Sequence, residues 1–307
     1  MRIYVSRVNE SWIVNRFRNE WYKSNKKIST KNIYFSDVVW IIAPWSIKPK
    51  ALNKLNNKKV LCTVHHIENL NQDSLEIKKI KEIDEYVDEY HTISQKSYVQ
   101  LRSLTNKKIH LIPFWVDNSK WFELKNKNIL REKFGLTSKD FLIGTFQRDT
   151  EGHDLISPKL IKGPDIFLDI VKRMDEEYPN LKVILTGKRR NYLINEFEKN
   201  NINYKYFEMV NIPTLNELYN ILDLYIVSSR IEGGPQSIME CSAARVPIIS
   251  TDVGLASEIL SPESIFKVGE DYKAKPNIDY QYNMVTKYFI PEGMKQYEKM
   301  FQNLNES

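Results

Sequence analysis

Cysteine is nearly missing from this chain: Cys62 and Cys241 are the only two. Both fall in stretches that read as strand and helix. That excludes a disulfide framework and a cysteine-rich zinc site, and it suits a reducing compartment. The five histidines show no metal-ligand spacing such as H-E-x-x-H, so no metal is expected; no cofactor is expected either. No run approaches the ~18 consecutive apolar residues of a membrane span. The opening MRIYVSRVNE lacks the apolar centre of a signal peptide, and a cytoplasmic protein is expected. Glycine is also unevenly spread, with none before Gly135. A G-x-G-x-x-G dinucleotide fingerprint is therefore impossible in the first half, and backbone binding of phosphate must belong to the second.

What is present is length, charge and alternation. The 307 residues suffice for two domains with sizeable cores. Residues 1–138 hold 25 Lys+Arg against 14 Asp+Glu, or +11; the remaining 20 and 25 give −5, and the total is +6. The basic half suits an anionic partner (a lipid surface, a phosphorylated acceptor or nucleic acid), or it simply reflects a lysine-rich composition. Apolar runs at 3–5, 38–42, 60–64, 91–93 and 109–112 alternate with stretches of helical length, which argues a parallel sheet covered by helices. A second series starts at Phe141 and continues through an amphipathic stretch over 164–178.

The most informative stretch is 230–258. Leu224 to Val227 reads as a buried strand, Gly233 and Gly234 permit a tight turn, and Pro235 suits the first position of a helix. A second strand follows at 247–250. Strand, glycine turn and helix together predict an anion site, because the first helical N–H groups lack partners and carry the positive end of the dipole. Glu232 and Glu240 flank that site and suit hydroxyls better than phosphate. A ligand carrying both phosphate and sugar fits them. Taken singly, Glu232 reads as a cap and Glu240 as a solvated helix charge.

Glu232-Gly-Gly-Pro-Gln-Ser-Ile-Met-Glu240 resembles the E-x7-E motif of retaining, nucleotide-sugar-dependent glycosyltransferases of the GT-B fold, family 4. The following 243–249 and Asp252-Val253-Gly254 resemble the same family's next stretch, with Arg245 where glycine is usual. Lys162-Gly163-Pro164-Asp165 and Gln147-Arg148-Asp149 resemble its phosphate-binding pattern, separated here by an apparent insertion at 150–161. Val60 to His66 resembles its histidine-bearing strand end, with His65 at the histidine and His66 where aspartate is frequent. Ile109 to Asp117 resembles its I-P-N-G-V-D signature, with Phe114 and Trp115 as a bulky wall toward the acceptor.

The resemblance implies an α/β, GT-B fold: two Rossmann-like domains facing across a cleft, and a C-terminal helix crossing back to the N-domain. The expected ranges are 1–135, 136–281 and 282–307. The implied activity is transfer of a sugar, with retention, from a nucleoside-diphosphate sugar to a hydroxyl of a glycan, lipid-linked saccharide or surface polysaccharide precursor. Glu232, His65, Lys162 and Arg148 would be catalytic. Glu240, Gly233, Gly234, Gln236 and Ser237 would bind the donor. Lys188, Arg189 and Arg190 read as solvated surface unless they form a cationic rim. The expected partners are a nucleotide sugar and its acceptor, with peripheral contact of the basic half at the inner face of a membrane; nucleic acid is disfavoured. The alternatives are an epimerase or phosphorylase on the same fold, a nucleic-acid-modifying transferase, or a basic binding protein.

Overall fold

The computed structural model describes residues 1–8, 13–68, 70–71 and 73–307. Asn9, Glu10 and Trp12 lie outside them. The chain divides into two compact units: Met1–Trp115 with Tyr288–Ser307, and Val116–Lys287.

In the first unit β1 (Ile3–Val5), α1 (Ile13–Ser24), β2 (Val38–Ile41), β3 (Lys59–Thr63), α2 (Leu75–Asp84), β4 (Glu89–Thr92), α3 (Gln95–Arg102) and β5 (Ile109–Leu111) follow one another. The strands form one parallel sheet in sequence order. Side chains alternate across it, as the pleat requires. Val38 and Trp40 join one core with Phe17 and Trp21 of α1, while Val39 and Ile41 join another with Ile77, Ile80 and Ile83 of α2. Ser94 caps α3 by accepting from the Ser97 amide at 3.2 Å, as its position after a strand suggests.

The second unit begins with α4 (Lys127–Lys133). It continues through β6 (Phe141–Thr145), α5 (Pro164–Glu177), β7 (Leu181–Thr186), α6 (Asn191–Lys199), β8 (Tyr204–Phe207), α7 (Ile212–Asn220) and β9 (Leu224–Val227). Then come α8 (Gln236–Ala243), β10 (Ile248–Thr251), α9 (Ala256–Ile259), β11 (Ile265–Phe266) and α10 (Ile278–Thr286). Its parallel sheet has the order β11-β10-β9-β6-β7-β8. Strands run outward from β6 to β8, and the chain then returns to β9 on the other side of β6. The reversal leaves a crevice between β6 and β9 at their C-terminal ends, where open α/β sheets hold ligands.

The first boundary falls at Trp115 rather than 135. Segment 116–135 is tied to the second unit: the Leu124 amide donates to Asn220 Oδ1 at 2.7 Å, and Arg131 Nη2 meets Asp223 at 2.6 Å. The second boundary falls at Lys287, after α10. The last helix, α11 (Glu292–Glu306), packs on the first unit. It buries Met294, Tyr297, Met300, Phe301 and Leu304, one face of a 3.6-residue period, against Trp21 and Trp40.

Phe114 and Trp115 do not wall an acceptor site. Both are buried in this core; Phe114 stacks on Phe17 at 3.9 Å and Trp115 Nε1 donates to the buried Glu20 at 2.9 Å. Large rings after β5 are needed to fill the space between α1 and α11.

Candidate functional site

The crevice at the end of β6 and β9 is closed by two chain segments that lie far apart in sequence. Residues 160–163 run along the loop after β9: the Arg230 and Ile231 amides donate to Ile161 O at 2.9 and 3.2 Å, and Ser228 Oγ donates to Gly163 O at 2.8 Å. Gly163 has φ +61, and a Cβ there would collide with the Ser228 carbonyl. Arg230 grips the start of α5 through Asp165, at 2.7 and 2.5 Å, which holds the Asp165 carboxyl below its usual range.

This zipper puts Lys162 Nζ 2.5 Å from Glu232 Oε1, although 70 residues separate them. Gln147 completes the group. Its Nε2 donates to Lys162 O at 2.6 Å, and its Oε1 accepts from Ser229 Oγ at 2.9 Å. Behind Glu232 lies Gly254, φ +52, where a Cβ would come within 2.5 Å of Gly233 O. Only glycine lets the end of β10 approach the loop so closely.

α8 starts at Gln236, with Pro235 one position before the helix rather than inside it, and no side chain caps it. Glu232 therefore is not its cap, and the α8 N-terminus stands beside the Lys162–Glu232 pair in sequence and in the loop. Gly234, Gln236 and Ser237 are half-buried there, and Gly233 is buried. Glu240 is not a solvated charge either. It is 4 % exposed, and Tyr219 Oη donates to its Oε2 at 2.9 Å. Burial and that carboxylate push the Tyr219 phenol well up. Tyr219 stacks obliquely on Phe146 at 4.8 Å, which sits where β6 ends.

Arg148 is half-buried after β6, with its Nε out of water. The sequence reading of Arg190 as solvated surface is wrong. Arg190 is fully buried, pairs with Asp149 at 2.7 Å and donates to the Gln147 carbonyl. It thus braces the strand end that carries Gln147 and Arg148, because a buried carboxylate at Asp149 requires a fixed cation. The apparent insertion is a short folded loop. Thr150 bridges Pro158, and Asp154 accepts the amides of Ile156 and Ser157, which hold its carboxyl at about 2. No residue pattern announced the Asp149–Arg190 or Tyr219–Glu240 pairs; an acid and an aromatic in a strand end and helix are individually ordinary.

His65 belongs to the first unit. It ends the run that follows β3, and its Nε2 bonds Ile42 O at 2.9 Å. Burial lowers its pKa to about 4, so the ring is neutral at neutral pH and presents Nδ1 as an acceptor. Its ring lies between Trp45 at 5.8 Å and Phe114 at 5.6 Å. His66 instead meets Glu68 at 3.5 Å. His66, Glu68 and Glu76 bring ligand atoms within 4.8 Å of one another, which spacing along the sequence did not suggest. Glu76 is already committed there, accepting the Glu68 amide at 2.8 Å.

Part of the second unit matches a known family. Residues 157–279 match the model of the glycosyl transferases group 1 family. That segment holds Lys162, Glu232 and Glu240; Arg148 and His65 lie before it. Among curated relatives, the alpha-galactosylglucosyldiacylglycerol synthase of Streptococcus pneumoniae is 24% identical over 193 residues, 59% of this chain and 47% of that protein. An uncharacterized glycosyltransferase of Methanocaldococcus jannaschii is 26% identical over 208 residues, 67% and 46% respectively. The chain thus spans about half the length of the curated relatives it matches. The crystal structure of Anabaena HepE in complex with UDP and glucose superposes with a TM-score of 0.77 at 12% identity, over 98% of this chain and 99% of that one. Sucrose-phosphate synthase from Thermosynechococcus elongatus follows at 0.70 and 14%, over 95% and 77%. The fold is therefore GT-B, with two parallel-sheet, Rossmann-like α/β domains. Among the described residues no helix is long and apolar enough to cross a membrane.

Proposed function

We propose that this chain is a retaining glycosyltransferase that moves a sugar from a nucleoside-diphosphate sugar to a hydroxyl acceptor. The observation that carries the reading is the Lys162–Glu232 pair at the β6/β9 crevice, beside the amino end of α8. Lys162 is a mobile point charge on a flexible stem. Its ammonium neutralises Glu232. With donor bound, it would turn to the diphosphate and release the Glu232 carboxylate to the sugar hydroxyls.

A departing nucleoside diphosphate gains negative charge, and cations and helix dipoles beside it stabilise it most in the transition state. Lys162, Arg148 and the N–H groups around Gly233 to Ser237 take that role. Glu240, one oxygen held by Tyr219, takes the ribose. His65 is the acceptor-side contact, a neutral hydrogen-bond acceptor. Retention follows if the leaving phosphate oxygen receives the proton of the attacking hydroxyl on the same face of the sugar. The UDP bound by HepE favours a uridine donor, and the glycolipid synthase among the relatives favours a lipid-linked or glycolipid acceptor.

Thermal unfolding with UDP, GDP, ADP and CMP sugars tests the reading. A donor at 100 times its dissociation constant adds about 2.7 kcal/mol of stability. One nucleotide class should raise the transition, and that donor should lose its sugar only when a hydroxyl acceptor is added. Product formed without acceptor would point to an epimerase, and no shift with any nucleotide would remove the transferase reading.

A further inference from the structure

β1 is the edge strand of the first unit's sheet. Beside it opens a concavity of about 680 Å³ lined by Arg7, Arg18, Lys23, Lys26 and Lys31, with Tyr22 and Ser29 between them. The cations come from separate pieces of chain: Arg7 after β1, Arg18 and Lys23 in α1, Lys26 in the turn after it, and Lys31 on the way to β2. Among the described residues none of the five is paired with a carboxylate, and no carboxylate lines the concavity.

Scattered lysines are ordinary on a solvated face, and Lys23 alone suits the C-terminal end of α1. Arg18 does not fit that account. It is half-buried, its Nε donates to Val5 O at 3.3 Å, and its guanidinium lies 4.9 Å over the Tyr22 ring. Tyr22 is itself fixed, accepting the Val5 amide at 3.0 Å and donating to Thr30 O at 3.0 Å. A guanidinium has five N–H donors, so Arg18 is pre-positioned with donors to spare. The Ser29 hydroxyl in the same wall is out of water and has no hydrogen-bond partner.

The occupant must be a compact polyanion. The concavity is of the size that takes a small ligand. A single carboxylate would leave most of its charge unanswered, and a nucleic-acid strand calls for an extended groove with stacking rings. A diphosphate offers several charged oxygens within a few ångströms, which matches a fixed guanidinium fork surrounded by ammonium groups. We infer that this concavity binds a diphosphate group carried by the acceptor. Its assignment to the acceptor rests on the transferase reading; the anion site itself does not.

Titration calorimetry with inorganic pyrophosphate tests it on the full chain. Lys23→Ala/Lys26→Ala/Lys31→Ala removes exposed side chains and should fold normally. It should lower pyrophosphate affinity at this site at least tenfold while leaving UDP binding unchanged. Lys162→Ala should do the reverse. Arg18→Lys, which keeps the charge and loses the fork, should fall between wild type and the triple variant. Farnesyl diphosphate is the second probe. Tighter binding than pyrophosphate, still dependent on the three lysines, identifies a lipid-linked diphosphate; equal binding identifies a soluble one. Pyrophosphate affinity unchanged in the triple variant overturns the proposal. So does a triple variant that keeps pyrophosphate but no longer sediments with phosphatidylglycerol vesicles, since the patch is then a membrane-contact surface. Lysine-dependent pyrophosphate binding in a protein that ignores every nucleotide keeps the anion site and overturns its assignment to an acceptor.

Discussion

The two sheets of this chain are both parallel, yet they make binding sites by different means. In the first unit the strands lie in sequence order, and no reversal splits the sheet. No glycine occurs there until Gly293 in α11, so backbone amides cannot be brought close to an anion by a glycine turn. Its candidate ligand surface is built from long cationic side chains. In the second unit the order reverses between β6 and β9, and the crevice is lined by glycine turns, a helix start and charges already paired. Topology thus decides where a backbone-built site can form, and composition decides what the other unit uses instead.

The comparison breaks most easily through the elements that hold each unit together. Phe301 of α11 lies 5.3 Å from both Trp21 and Trp40 and is fully buried. Phe301→Ala should cost about 3–5 kcal/mol and act on the first unit. Limited proteolysis should then cut residues 1–115 while a nucleotide sugar still protects 116–287. Equal exposure of both units would mean that α11 stabilises them together. Next in size is Gly163→Ala, where a left-handed backbone and the Ser228 carbonyl oppose a side chain. We expect a loss of about 2–3 kcal/mol in a urea titration. Donor binding should weaken as well, because Lys162 is displaced; a variant within experimental error of wild type would show that the zipper to β9 is not required.

The third effect is catalytic. Lys162→Ala and Glu240→Gln should each lower turnover more than tenfold, at least about 1.4 kcal/mol in the barrier, with folding intact. Substitutions of the unpaired lysines in the first unit should leave donor affinity alone. Near-normal rates for both Lys162→Ala and Glu240→Gln would detach the paired site from the chemistry.

How much of this was legible in the sequence follows the same division. The alternation of apolar runs gave both sheets, and the glycines, proline and acids over 232–254 marked the crevice, because each residue type there answers a local backbone demand. The position of Lys162 was legible only by resemblance; its contact with Glu232 depends on a zipper across 70 residues. Arg190 and Phe114 were misread for one reason. A charge or a ring carries no mark of its burial until its partner, Asp149 or Phe17, is placed by the fold. Arg245 shows the converse. It stands where the resembling family usually has glycine, and its φ of 55 explains that preference. Bonds to Asp279 and contact with the Tyr282 ring hold the arginine in place of the missing glycine.

The smallest effect separates the units by pH. Four histidines lie in the first unit, whereas the second has only His153, which is 74% exposed. His91 is fully buried: Nδ1 meets Thr63 Oγ1 at 2.9 Å and Nε2 meets Ile112 O at 2.8 Å. Burial lowers its pKa to about 3, and that of His65 to about 4. In the unfolded chain both should titrate near ~6.5. Below that pH the unfolded state binds protons that the folded state refuses, so stability is complete above about 6.5 and falls as pH drops toward the folded values. Between pH 6.5 and 5, where most carboxylates stay ionised in both states, His91 alone should remove about 1.6 kcal/mol. His65, less enclosed, should add a smaller loss of the same sign. Urea midpoints of the first unit should therefore decline over that window and those of the second should not. His91→Asn should flatten the decline, and a slope that persists unchanged in that variant would assign the pH dependence to other groups.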